Sequence, residues 1–221
     1  PYIIASVLAH QGYQWYMLNS YKVGEYTNVY PIFRGFGPLL ATLISIIFLG
    51  VVFKIATLVS ILLICAGIMF LGLFGSKNQN QIEIIKYSLL TGSFIGLYSL
   101  IDGYGARVST SAISYISFSF LFSALVFPII LKLNNHENII SKVFKDAKMI
   151  FWVGGSISFI IYLIVVWGFT KAPIPLVAAL RETSIFFSIF IGYFFLKETI
   201  NLKKIISIVL IVIGVIGIKL F

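Results

Sequence analysis

The chain has 221 residues, 60% of them hydrophobic and 10% charged, with a mean hydropathy of +1.05 and a formal charge of +9. A soluble domain of that size cannot hide so much apolar surface in one core. Nucleic acid is not the implied partner of the basic excess, because the lysines are spread over polar breaks between apolar runs. There, anionic lipid headgroups are the simpler contact.

A hydrocarbon layer about 30 Å thick is crossed by about 20 mostly apolar residues in helical form. Lipid offers no partners to the backbone, so helices are expected, and the ten-residue alternation of a membrane barrel is absent. The sequence predicts an all-α polytopic membrane protein with eight spans, at about 2–20, 27–49, 56–74, 84–104, 110–131, 148–169, 174–196 and 202–220.

The first span carries His10 and Gln14 one turn apart, beside Tyr13 and Trp15. Such a pair often only bonds helices together; it equally offers hydrogen-bonding groups to a solute, and imidazole changes charge near neutral pH. In the second span Pro31 and Pro38 imply a bent helix. Arg34 lies seven residues into it, with Tyr30 one turn earlier. Cys65 in the third span reads as packing. A polar turn, Gly75 to Gln81, leads to the fourth span, where Asp102 and Arg107 flank Gly103 and Gly105. Those two charges form a loop-end salt bridge, or else Asp102 and Tyr98, one turn apart, line a cavity wall. The longest hydrophilic loop runs from Leu133 to Lys148 and holds a solitary His136. Pro173 and Pro175 open the seventh span, a position that tolerates proline. Arg181 lies seven residues into it, and Glu182 is expected to point about 100° around the helix, so that the two need not pair.

Charges at membrane depth cost at least about 2.5–3.5 kcal/mol on insertion scales, so the arginines need a reason. A shift of 147 residues supplies one: Arg34 falls on Arg181, Ile44 on Ile191, Phe48-Leu49 on Phe195-Leu196, Ser60 on Ser207 and Gly67 on Gly214. The register matches spans one to three with spans six to eight and leaves spans four and five without a counterpart. The expected domains are an incomplete first repeat at 1–75 (three helices), a linker at 76–83 and a complete second repeat at 84–221 (five helices). With Pro rather than Met at position 1, the expectation is a piece of a ten-helix, five-plus-five protein. An odd number of helices per repeat turns the halves in opposite directions across the membrane. Arginines from two such halves either snorkel to an interface or converge on a cavity and hold an anionic or carboxylate-bearing solute.

The run Ala172-Pro173-Ile174-Pro175-Leu176-Val177-Ala178-Ala179-Leu180-Arg181-Glu182-Thr183-Ser184, then Phe195-Leu196-Lys197-Glu198 and Gly214-Val215-Ile216-Gly217, resembles the C-terminal repeat of EamA-domain transporters of the drug/metabolite transporter superfamily. Val29 to Leu40 is similar to the matching helix of the first repeat, and Asp102 to Arg107 followed by Ser109 has the family's look. The resemblance implies a ten-helix inverted repeat with a central cavity, moving small organic solutes by alternating access. One departure is the absence of the acid many members carry after the corresponding first-repeat helix: Leu49-Gly50-Val51 is apolar there, while the second repeat keeps Glu198.

The leading expectation is therefore a secondary transporter, an exporter or exchanger of metabolites, amino-acid-like or drug-like solutes, with no cofactor. Its candidate site residues are Arg34, Arg181, Glu182, Asp102, Tyr98, His10, Gln14 and Tyr30. Protons are the candidate coupling ion, through Glu182, Asp102 or His10, and a homodimer is admitted. A membrane scaffold or sensor subunit is the alternative, and a lipid-modifying intramembrane enzyme a weaker one, since no nucleophile–base pair or metal-ligand cluster is present in the sequence. A multi-pass protein of a bacterial-type plasma membrane is the expected setting. Orientation stays open: ten basic residues on one set of loops against four on the other would put the C-terminus outside, whereas the resemblance implies cytoplasmic termini.

Overall fold

A computed structural model describes residues 1–24, 26–73, 81–134, 139–185, 187 and 202–220. Among them every regular element is helical: α1 (Tyr2–Val23), α2 (Tyr26–Ile47), α3 (Ile55–Leu73), α4 (Gln81–Val108), α5 (Ala112–Leu133), α6 (Ile139–Asp146), α7 (Gly155–Lys171), α8 (Ile174–Arg181) and α9 (Leu202–Leu220). A π-helical turn, Ile150–Gly154, leads into α7; the Gly154-Gly155 pair at its end gives the backbone the freedom that such a departure from the regular ladder uses.

Four described helices are long and apolar enough to cross a membrane: Val29–Ile47, Gln81–Val108, Ala112–Leu133 and Ile150–Lys171. Ile55–Phe70 and Ile205–Ile218 are shorter apolar helices. Helix α1 has the length, 22 residues, but His10, Gln11, Gln14 and Asn19 dilute its apolar character. The eight-span reading is thus supported at four places. Two other departures are local. The long polar loop contains the short helix α6, whose Lys142 and Lys145 stand opposite Val143 and Phe144. The seventh span does not run on as one helix: α8 stops at Arg181 and the chain turns at Glu182 and Thr183. There the Thr183 hydroxyl donates to the Leu180 carbonyl at 2.8 Å and competes with the helical ladder. The remainder of that span, with Phe195-Leu196-Lys197-Glu198, lies outside the described residues, as do most of the polar turn before Gln81 and His136.

The chain divides into two compact units, Pro1–Gln11 with Ile101–Ala172, and Gly12–Leu100 with Pro173–Phe221. In the first, α5 and α7 carry a broad apolar exterior, including Phe118, Leu121, Phe122 and Leu125 on one and Ile157, Ile160, Ile161 and Ile164 on the other. Such a surface requires lipid rather than water around it. In the second, α3 is central. Its Ile61, Ile64, Cys65 and Ile68, spaced to share one helix face, are buried with Ala179, Ile185 and Ile211, and Tyr30 and Leu39 pack on that cluster.

Small residues let these helices approach closely, as apolar solvent favours. A side chain at Gly96 of α4 would meet the Gly37 carbonyl of α2 at 2.9 Å. Between α3 and α9 the contacts are reciprocal. Gly67 faces Ile211 and the Ser207 carbonyl, while Gly214 faces Ile64 and the Ser60 carbonyl. Each member of one set is 147 residues from its counterpart. Ser60 and Ser207 also match in what their hydroxyls do, donating back to the carbonyls of Ala56 and Lys203, four residues earlier, at 2.7 and 3.0 Å.

Candidate functional site

Two polar clusters stand out, one in each unit. In the unit formed by Gly12–Leu100 and Pro173–Phe221, α2 supplies Arg34 and the end of α8 supplies Arg181 and Glu182. Pro38 contributes to this locality: lacking an N–H, it leaves the Arg34 carbonyl without its usual intrahelical donor. The backbone at Glu182 tightens, with Glu182 N donating to Ala179 O, Thr183 N to Leu180 O and Ile185 N to Glu182 O. Glu182 therefore sits in a turn beyond the helix end, and its carboxylate swings between both guanidinium groups. Arg34 Nε lies 2.7 Å from Glu182 Oε2, and Arg181 Nε donates to Oε1 at 3.1 Å. The expectation that Arg181 and Glu182 need not pair assumes a continuing helix; the turn and the long arginine stem bring them together. Arg34 also reaches the Ser184 hydroxyl at 3.5 Å and lies over the Tyr30 ring, 5.5 Å from its centroid. Tyr98 is buried, hydrogen-bonds with Arg181 and meets the Tyr13 ring edge-on at 5.5 Å.

The ion cluster is largely withdrawn from the surface, with side-chain exposures of 17% for Arg34, 10% for Arg181 and 2% for Glu182. Two guanidinium groups thus share one carboxylate where charge is costly. They offer roughly ten N–H donors, against about four acceptor sites on a carboxylate. Gln14, the remaining candidate in this unit, has a buried Oε1 with no hydrogen-bond partner.

In the unit formed by Pro1–Gln11 and Ile101–Ala172, Asp102 is fully buried on α4. His10 Nε2 of α1 lies 2.9 Å from its Oδ2, Tyr162 of α7 donates to the same oxygen at 2.5 Å, and Tyr115 of α5 donates to Oδ1 at 3.1 Å. Gly105, one turn along α4 from Asp102, makes room for this: a Cβ there would run into the Tyr115 ring. His10 and Tyr162 are further held edge to face, 5.7 Å between centroids. The Asp102–Arg107 salt bridge, one of the two readings of those charges, is not formed. Arg107 turns instead to the end of α7, where Nε donates to Phe169 O at 2.9 Å and a terminal nitrogen to Ala172 O at 2.8 Å. Those orphan carbonyls at a helix C-terminus attract a cation more cheaply than an already bonded acid. Tyr98 and Asp102, one turn apart on α4, belong to different units.

Of the candidates, Arg34, Arg181, Glu182, Tyr30 and Tyr98 meet in one cluster and His10 and Asp102 in the other. Sequence reasoning does not single out Tyr115, Tyr162 or Ser184. Tyr162 carries a signal all the same, a hydroxyl set deep in an apolar run, which needs a buried partner; Tyr115, just after a serine-rich helix start, carries none.

No curated protein matches the chain. The sequence model of the EamA-like transporter family matches residues 83–220, a stretch that contains Asp102, Arg181 and Glu182 and more than half of the whole. With its helical, lipid-suited exterior and these buried polar clusters, the chain belongs to the EamA-like transporter family.

Proposed function

We propose that the protein is a secondary carrier of small organic solutes bearing a carboxylate or a similar anionic group, which the Arg34–Glu182–Arg181 cluster recognises. Family membership supplies the general transporter role and the integral membrane setting. The observation that carries the finer reading is the meeting of two arginines, 147 residues apart, on one buried carboxylate. Their two positive charges exceed the one that Glu182 neutralises. An incoming carboxylate would balance the remaining positive charge in the planar geometry that guanidinium binds best. Tyr30 and Tyr98 add an aromatic face and a hydroxyl beside the charge.

The reciprocal contacts of Gly67 with Ile211 and of Gly214 with Ile64 support an inverted duplication, with a first repeat in 1–75, a linker at 76–83 and a second repeat in 84–221. Two such halves that rock against each other would present the arginines to either side in turn. Export or exchange is the direction we favour. A scaffold role has no use for two arginines at this depth.

The test is uptake by reconstituted vesicles of labelled acetate, lactate, succinate and glutamate, with matched amines as controls. Carriage of a carboxylate that falls at least tenfold in both Arg34→Ala and Arg181→Ala is expected. Carriage unchanged in both variants overturns the arginine site.

A further inference from the structure

The second cluster has chemistry that the arginine site does not use. Asp102 is fully buried, and its carboxylate receives three donors from three different helices: His10 from α1, Tyr115 from α5 and Tyr162 from α7. An ionised carboxylate only accepts, so all three neighbours present N–H or O–H to it. Two are phenols, which keep their protons at ordinary pH. The third is an imidazole, the side chain that ordinarily changes charge between pH 5 and 8. With His10 neutral the group carries one net negative charge away from water. With one more proton, on His10, it carries none. The His10 side chain is 13% exposed while that of Asp102 is sealed, so the imidazole is the member of the pair with an open face.

Two other charged groups of these elements, Arg107 and Lys171, are engaged elsewhere. Arg107 on α4 is engaged with the Phe169 and Ala172 carbonyls and lies over the Tyr104 ring. Lys171 of α7 lies over the Trp167 ring. No basic side chain among the described contacts neutralises Asp102 other than His10. The two tyrosines fix the carboxylate from both oxygens, so the charge stays in place while the imidazole changes state.

We propose that the His10–Asp102 pair, clamped by Tyr115 and Tyr162, is a proton-binding site that takes up and releases one proton as the carrier works. Its use as the coupling site rests on the transporter reading above; its existence as a proton site does not. The proton comes from water and returns to water, so the step is a simple protonation of the pair with no other reactant.

Because the protein has two histidines, the purified chain labelled with 15N in its imidazoles gives two titration curves, and His136→Gln assigns the one from His10. The expected result is that His10 passes from neutral to charged between pH 9 and pH 5. In Asp102→Asn the His10 curve should no longer match that of the parent chain, because the carboxylate beside the imidazole is gone. An imidazole of the wild-type chain that keeps one state across that range is only a bond between helices, and overturns the site. Coupling is read separately, in wild-type vesicles carrying whichever of the four carboxylates is transported. Accumulation should rise at least fivefold with an imposed proton gradient, and His10→Gln should abolish the difference. Equal accumulation with and without the gradient overturns coupling. If no carboxylate is carried at all, the arginine reading has failed while the histidine titration still decides this one.

Discussion

Arg34 and Arg181 approach opposite oxygens of a single carboxylate, at 2.7 and 3.1 Å from Glu182 Oε2 and Oε1. That sharing ranks two substitutions and their combination. Removing Glu182 leaves two like charges facing each other without a counter-charge, and breaking a buried pair costs about 3–5 kcal/mol. Removing Arg34 instead leaves one neutral pair, Arg181 with Glu182. Glu182→Gln should therefore lower the melting temperature of the purified protein more than Arg34→Gln. The double variant, whose net charge equals that of the parent, should recover part of the loss. An equal or reversed order of the two single variants would show that Glu182 does not hold the arginines together.

The α3–α9 packing makes a prediction about symmetry. A methyl at Gly67 would meet Ile211 Cγ1 at 2.9 Å and the Ser207 carbonyl at 3.0 Å. At Gly214 it would meet the Ser60 carbonyl at 2.6 Å and Ile64 Cγ1 at 2.7 Å. Backbone stands in the way in both places, so the helices must separate, at about 1–3 kcal/mol each. Gly67→Ala and Gly214→Ala should destabilise by similar amounts in denaturant titration. Gly155→Ala is the control: nothing lies within 4 Å of its added carbon, and helix propensity alone should make it neutral or favourable by roughly 0.5–1 kcal/mol. A harmless Gly214→Ala would contradict the reciprocal contact.

These two relationships are unequally legible in the sequence. A charged residue in an apolar run is conspicuous because its insertion is costly, so Arg34 and Arg181 declare themselves, and the 147-residue register alone is enough to pair them. What the register does not encode is the end of α8. Glu182 reads as one more helical position, and only the turn at Glu182 and Thr183 brings its carboxylate between both arginines. Asp102 is conspicuous for the same reason as the arginines, but its partners are not. Tyr115 and Tyr162 lie on other helices, and whether a phenol faces lipid, an interface or an acid depends on helix rotation, which an apolar run on all sides leaves unspecified. Arg107 reads as a partner of Asp102 because the backbone carbonyls it actually binds leave no trace in a sequence.

Arg107 itself yields a third prediction. Its guanidinium bridges two carbonyls at the end of α7, Phe169 O and Ala172 O, through two different nitrogens. Arg107→Lys keeps the charge but has no planar fork to span both acceptors. Arg107→Lys should recover less than half of the stability lost in Arg107→Ala, which should be about 1–3 kcal/mol for charge-assisted bonds. Hydrogen exchange at the last turn of α7 is the local measurement, and both variants should speed it. Full protection in the lysine variant would mean that charge near the helix terminus, rather than the two-pronged bond, matters there.

The last prediction links a glycine to the buried acid. Gly105 leaves space for the Tyr115 ring, whose Cε2 and Cζ crowd the place where a Cβ would stand. Alanine there must push the ring aside, and the ring's hydroxyl is what reaches Asp102 Oδ1. Gly105→Ala should thus remove the same hydrogen bond as Tyr115→Phe, which leaves a buried carboxylate oxygen short of a donor at a cost of about 1–3 kcal/mol. Once one substitution has broken the bond, the other has nothing further to break. The double variant should be less destabilised than the sum of the two by at least about 0.5 kcal/mol, the scale of coupling expected for residues in contact. Additive losses would mean that the glycine serves only helix packing. Tyr115→Phe would then be the sole route to Asp102 from α5, and the tight approach of α4 to that ring would have no bearing on the acid.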